Sequence, residues 1–305
     1  MRAKGKRASG MERRRARWGW AFVLPSLAFF GLFSFYPIFN AFYTSLFKQK
    51  LLSLAPPEYI GLGNYTYLLH SPTFWNSVRA TAIFTACTFV LLVGVSLLLA
   101  AFIVSRKRVQ KTLQMVFFSP AVVSSVVAAA VWLLIFDPRG LGNQVVNGIM
   151  QTPGVDHKWL ASATMLQLST VLVYFWKYVG YFTIIFIAGL ASIPATLHEA
   201  ARIDGAGSWQ SFWKVSFPLL KPTIVLVSVM AMIQCLRTFS TQYVFYQAGA
   251  PRGPIDVIAF GIYNTAIRDH QIGRASAMSV ILFCIMLFLS WMQFRVSRSD
   301  DVSYL

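Results

Sequence analysis

The chain has 305 residues, of which 56% are hydrophobic and only 12% charged, about half the charged fraction of an average soluble domain. That balance speaks against an ordinary soluble enzyme and against a disordered tail. The net charge of +17, taken alone, would suit a nucleic-acid binder, but beside so much apolar sequence it marks one surface of a membrane protein.

In chain order, residues 1–17 form a basic tail carrying Arg2, Lys4, Lys6, Arg7, Arg13, Arg14, Arg15 and Arg17. Six apolar runs of spanning length follow, over 18–47, 78–104, 113–136, 164–190, 223–247 and 275–294. The first run is longer than a secretory h-region and no small-residue cleavage site follows it, so it reads as a retained anchor. Pro25 and Pro37 within it are tolerable in a packed bundle. The loop after the second run adds Arg106, Lys107, Arg108 and Lys111, the loop after the fourth adds Arg202, Lys214 and Lys221, and the end of the chain adds Arg295 and Arg298. Seventeen basic residues thus fall on one side and eight on the other, which places both termini in the cytoplasm. The opposite loops, 56–75, 137–159 and 249–254, are rich in Tyr, Trp, Pro and Gly and suit short folded segments at the bilayer surface.

The loop at 191–222 stands apart. Connections between packed helices usually take about 2–8 residues, and this one has about thirty. Ser192 is a candidate helix cap, with Pro194 in the first turn and a helix from Ala195 to Asp204. Gly205 and Gly207 end that helix, and Ser208 caps a second one. Trp209, Phe212 and Trp213 then make an apolar stripe suited to the headgroup region. Two short helices about a glycine hinge form a knob able to pass a push from a soluble motor to the membrane helices; the plainer alternative is a solvated connection.

Two cations fall well inside runs, away from their ends, Lys177 in the fourth and Arg237 in the fifth, with no acid in any run to pair with them. A charge at the bilayer centre costs at least roughly 2.5–3.5 kcal/mol, so both must face the bundle interior or water. With Tyr174, Gln234, Thr238, Ser240, Thr241 and Gln242 they make a candidate solute path, since aromatic faces beside amides and hydroxyls suit sugars. The alternative is that Lys177 snorkels and Arg237 binds backbone carbonyls at an unwound turn. Cys87, Cys235 and Cys284 read as packing residues. The four histidines have no metal-ligand spacing, and no convergent catalytic set is visible, so a membrane enzyme is disfavoured. No phosphate-binding loop of the GxxxxGK[ST] type occurs, so any ATP hydrolysis must take place on another chain.

Glu199-Ala200-Ala201, three residues, Gly205, nine residues and Val215-Ser216-Phe217-Pro218 resemble the EAA loop of ABC importer permeases, in the form typical of carbohydrate and glycerol-phosphate uptake. Residues 59–65 and 273–279 and the first run resemble the same group, and Ala250 stands where that group usually has Gly. The resemblance implies an all-α membrane protein of type I ABC importer architecture, with six transmembrane helices and both termini cytoplasmic. It divides the chain into the 1–17 tail, a first helix and outer loop over 18–77, a five-helix core over 78–295 that carries the coupling loop, and a 296–305 tail.

The resemblance further implies that Glu199, Ala200, Ala201, Arg202, Asp204, Gly205 and Pro218 couple the chain to an ATPase dimer. That dimer binds the ATP and Mg, and this chain binds no cofactor. A second, paralogous permease and an extracytoplasmic binding protein complete the assembly in the cell's inner membrane, and a sugar is the expected solute. The alternatives are an anionic, glycerol-phosphate-type solute or a secondary transporter driven by an ion gradient; the lack of an acid within the runs counts against the latter.

Overall fold

The computed structural model describes residues 10–53 and 55–298. Arg2, Lys4, Lys6 and Arg7 of the basic tail, the side chains of Arg13, Arg17 and Arg298, and the tail beyond 298 lie outside the described residues.

The first run is helical from well inside the basic tail. α1 (Gly10–Phe30) continues through a π-helical turn at Gly31–Phe35 into α2 (Tyr36–Thr44). Pro25 is absorbed within α1 and Pro37 sits in the first turn of α2, where its missing N–H is harmless. The most apolar stretch of this span buries nothing against the other described residues. Only α2 is tied in, with Phe42 edge-on to Phe283 at 6.1 Å. An antiparallel ribbon of β1 (Phe47–Lys48) and β2 (Glu58–Tyr59) follows, in register Phe47 to Tyr59. α3 (Gly63–Leu69) then places buried Asn64 under the ribbon, where it donates to the Ser45 and Phe47 carbonyls at 2.7 and 3.0 Å.

α4 (Pro72–Ser105) starts at a Ser71 cap, whose hydroxyl accepts from the Phe74 N–H at 3.4 Å. α5 (Gln110–Val122), α6 (Ser125–Ile135) and the amphipathic α7 (Leu141–Met150) lead to α8 (Ala163–Ala191). Beyond α8 come α9 (Ala195–Ile203), α10 (Ser208–Ser211), a π-helical turn at Phe212–Ser216, α11 (Phe217–Leu219) and α12 (Lys221–Leu236). The chain finishes through α13 (Ser240–Gln247), α14 (Arg252–Ile255), α15 (Ile258–Tyr263), a π-helical turn at Asn264–Arg268 and α16 (Ile272–Arg298). Among the described residues, five segments are long and apolar enough to cross a membrane, or six if the bent pair α5 and α6 counts as one.

Lipid tails offer helices no hydrophobic drive to associate, so close packing and interhelical hydrogen bonds must do it. α4, α8 and α12 meet on that basis around Leu92, Ala100, Phe182, Phe186, Val227 and Ala231. The Ser96 hydroxyl donates across to the Val179 carbonyl at 3.0 Å. α5 reaches α8 at Gly180, where an added Cβ would overlap the Phe117 carbonyl. Between α6 and α8 the 137–160 loop folds on buried Asn143, whose amide donates to Pro138 O and Asp156 and accepts from the Trp159 indole N–H at 2.7 Å.

Candidate functional site

The third apolar run, expected as one span over 113–136, is two helices crossing at 99°. Pro120 cannot donate to the Val116 carbonyl, and the Ser119 hydroxyl answers that group instead at 2.9 Å. Val123 is extended, and Ser124 caps α6 by accepting from the Val127 N–H at 3.2 Å. The break frees carbonyls inside a membrane-spanning run, where each needs a donor. Lys177 supplies it: its Nζ donates to the Ala121 carbonyl at 3.3 Å and to that of Val123, and lies 5.1 Å from the centre of the Tyr178 ring. The residue is only 5% exposed. Carbonyl binding at an unwound turn, weighed from sequence for Arg237, is performed by Lys177.

The fifth run is also interrupted, between α12 and α13 at Arg237–Phe239. There the Thr238 hydroxyl donates to Gln242 Oε1 at 3.1 Å. The Tyr174 hydroxyl donates to the Gln234 carbonyl at 2.9 Å and joins α8 to the end of α12. The two breaks face one cavity of about 250 Å³. Of the eight residues expected on a solute path, Tyr174, Lys177, Gln234, Arg237, Thr238, Ser240 and Thr241 line it. Gln242 does not; it is fully buried behind Thr238. Arg237 is exposed. The lining holds no acid, and its hydroxyls, amide and rings match a polyhydroxylated solute better than an apolar one.

Ser125, Tyr178 and Phe239 also line the cavity and were not expected there. Tyr178 lies one helical turn from Tyr174, so its spacing carried a signal. Ser125 became part of the lining only through the break before it, which an unbroken reading of the run conceals.

The other expected site lies at 191–222. α9 is a short helix ended by Asp204 and by Gly205 in the left-handed region at φ 79°. Ser192 does not cap it; Pro194 occupies the cap position, and the Ser192 hydroxyl instead donates to the Gly189 carbonyl at 2.8 Å. Gly207 is extended and precedes α10, whose first residue is Ser208. The His198 ring and the Ser211 hydroxyl, 3.1 Å apart, link the two helices. Glu199, Ala200, Arg202 and Asp204 are exposed, and no ion pair among the described residues engages Glu199, Arg202 or Asp204. Pro218 is half-buried near the start of α11. Ile203 went unnoticed in the sequence, yet it is 87% exposed, a large apolar side chain that nothing among the described residues covers.

A family model described as "Binding-protein-dependent transport system inner membrane component" matches residues 92–299. A probable ABC transporter permease protein, YurN of Bacillus subtilis, is 33% identical over 286 residues, covering 91% of this chain and 95% of its own length. The arabinooligosaccharides transport system permease protein AraP of the same organism is 31% identical, over 91% of this chain and 88% of its own. The sn-glycerol-3-phosphate transport system permease protein UgpA of Agrobacterium fabrum is 31% identical, over 90% and 92%. Among solved structures, a chain from a bacterial ABC transporter involved in the import of the acidic polysaccharide alginate superposes with a TM-score of 0.82, covering 94% of this chain and 97% of that one, at 21% identity.

Proposed function

The chain belongs to the family of binding-protein-dependent transport system inner membrane components, and from that membership as an ABC importer permease we propose a specific working arrangement. The solute is a mono- or oligosaccharide. It crosses between this chain and a second, paralogous permease, past the cavity between the two broken helices. Six spans, with the bent pair counted as one, leave both termini in the cytoplasm, and so put the 191–222 loop there with the ATPase. An extracytoplasmic binding protein delivers the solute to the opposite face. ATP and Mg belong to the ATPase dimer, and this chain contributes no catalytic group.

The observation that carries the coupling assignment is α9 itself. It presents Glu199, Ala200 and Ile203 outward from a glycine-ended helix between two spanning helices, with their own chain leaving them uncovered. A rigid knob of that kind converts closure of the ATPase dimer into movement of α8 and α12. The carbohydrate assignment is supported by the acid-free lining of hydroxyls, amide and rings.

The test is reconstitution with the cognate ATPase, partner permease and binding protein, followed by a saccharide screen for stimulated ATP hydrolysis. Glu199→Arg and Gly205→Pro are expected to abolish both ATPase co-purification and ATP-driven uptake. Intact coupling in both variants, or uptake driven by an ion gradient without ATP, would overturn the arrangement. One observation favours a second reading of the solute: among the described residues the Arg237 side chain has no hydrogen-bond or ion-pair partner, and it faces the cavity. An anionic, glycerol-phosphate-type solute would supply the missing charge. Arg237→Gln would then depress uptake of the anion strongly, and would leave uptake of a neutral saccharide nearly unchanged.

A further inference from the structure

A groove of about 490 Å³ separates the last turns of α4 from the 191–222 loop. Leu98, Ala101 and Phe102 of α4 give it one apolar wall, and Arg202 and His198 of α9 give the opposite wall its polar end. No Asp or Glu lines it. The groove opens where α4 stops at Ser105 and the chain turns basic through Arg106, Lys107 and Arg108. Arg106 lies over the Phe102 ring at 5.3 Å, which adds a second cation, after Arg202, beside the apolar wall. Trp209, at the rim, pairs edge-on with Trp213 at 5.6 Å, as amphipathic rings do at headgroup level.

We propose that this groove holds one anionic phospholipid, its phosphate at Arg202 and His198 and an acyl chain along Leu98 and Phe102. A free anion would have no use for the apolar wall, and a neutral lipid would leave the cationic end unmatched. Basic pockets between spanning helices at a membrane surface have the chemistry that recognises acidic headgroups. The occupant would join α4 to α9, so it would stiffen the loop through which the importer is driven. The inference rests on the membrane orientation and coupling role proposed above.

The experiment uses the complete importer, assembled in nanodiscs of phosphatidylcholine with phosphatidylglycerol and then released for native mass spectrometry. One retained phosphatidylglycerol is expected, in preference to phosphatidylcholine. Losing one cation near the surface should lower that retention about fivefold in Arg202→Gln. Ala101→Trp, which fills the groove from the α4 side, should abolish it. Leu98→Glu serves as a second, exposed test of the same wall, with the same loss expected. Millimolar inorganic phosphate should displace nothing. Equal retention of the two lipids, retention unchanged in all three variants, or displacement by inorganic phosphate would each overturn the assignment. ATP-driven uptake by the same preparation separates the two readings. An importer that transports but retains no acidic lipid refutes only the lipid site.

Discussion

Lys177 on α8 donates to the main-chain carbonyl of Val123, across the break between α5 and α6, and to that of Ala121 at 3.3 Å. An ammonium with no acid nearby would ordinarily be costly inside a membrane-spanning bundle. Here it does the work of the N–H groups that a continuous helix would have offered those carbonyls. Pro120 and the Ser124 cap begin the bend, and this one side chain holds its freed carbonyls from α8 while lining the cavity beside it.

Lys177→Met therefore strips donors from buried carbonyls, at about 1–3 kcal/mol for a group left unmet. A clear fall in the melting temperature of the assembled importer is expected, together with lost uptake. Lys177→Arg, which keeps donors in reach, should recover part of both. A Met variant that melts normally but has a raised KM would show instead that Lys177 acts only on the solute.

Lys177 was conspicuous in the sequence as a lone cation in a run, but its partner was not. The run over 113–136 reads as one apolar span, and only Pro120 and the Ser124–Ser125 pair hint at a break. The 99° bend joins those local signals to a tertiary contact with Lys177 of α8, which the run's own sequence does not report. The 191–222 loop was far more legible, because its length and Gly205 are local facts. Gly205 takes the left-handed conformation expected of it, whereas Ser192 caps nothing on α9. Ile203 was invisible for a different reason: exposure of an apolar residue shows only once the fold has failed to cover it. The polar residues lining the cavity drew notice by being polar in apolar surroundings; that Gln242 is buried away from it was not legible, because a fully buried amide and a cavity-lining one look alike in sequence.

Gly180 stands one helical turn from Lys177 on α8 and sets the same approach of α5. A Cβ there would overlap the Phe117 carbonyl, which is backbone and cannot swing aside. Gly180→Ala should cost about 1–3 kcal/mol or more as an overpacked contact, seen as a lowered melting temperature and poor recovery of the folded chain. Gly94 in α4 has open space at its Cβ position, so Gly94→Ala is the matched control and should be neutral. Equal behaviour of the two variants would refute a close α5–α8 contact.

Asp256 is 2% exposed and pairs with Arg252 at 3.1 Å. Burial pushes its carboxyl up, against the opposing pull of Arg252 and of Ser77. With the folded value above the unfolded one, the folded protein holds this proton to higher pH. Between the two values the folded state binds more protons, so the residue's contribution to stability falls as pH rises from the ordinary carboxylate range through the raised value. Asp256→Asn removes that slope. The difference in melting temperature, variant minus wild type, should grow more positive as pH is raised through that window. A difference that stays flat, or moves the opposite way, would mean that the Arg252 pairing outweighs burial.

The last test concerns Ile203, whose exposure on α9 has no explanation within the chain. If the ATPase covers it, association should gain the transfer of one large aliphatic side chain from water, roughly 1.5–3 kcal/mol. Ile203→Glu forfeits that gain and adds the burden of desolvating a carboxylate, so affinity for the ATPase should fall at least tenfold in a titration of purified subunits. Because α9 is short and its Ile203 side chain touches little of its own fold, the melting temperature of the isolated chain should stay where it was. Ile203→Leu, with the same volume and chemistry, should bind nearly as wild type. Weakened binding together with a lowered melting temperature would show instead that the side chain holds the loop together. Unchanged binding in Ile203→Glu would move the docking surface off this face of α9 altogether.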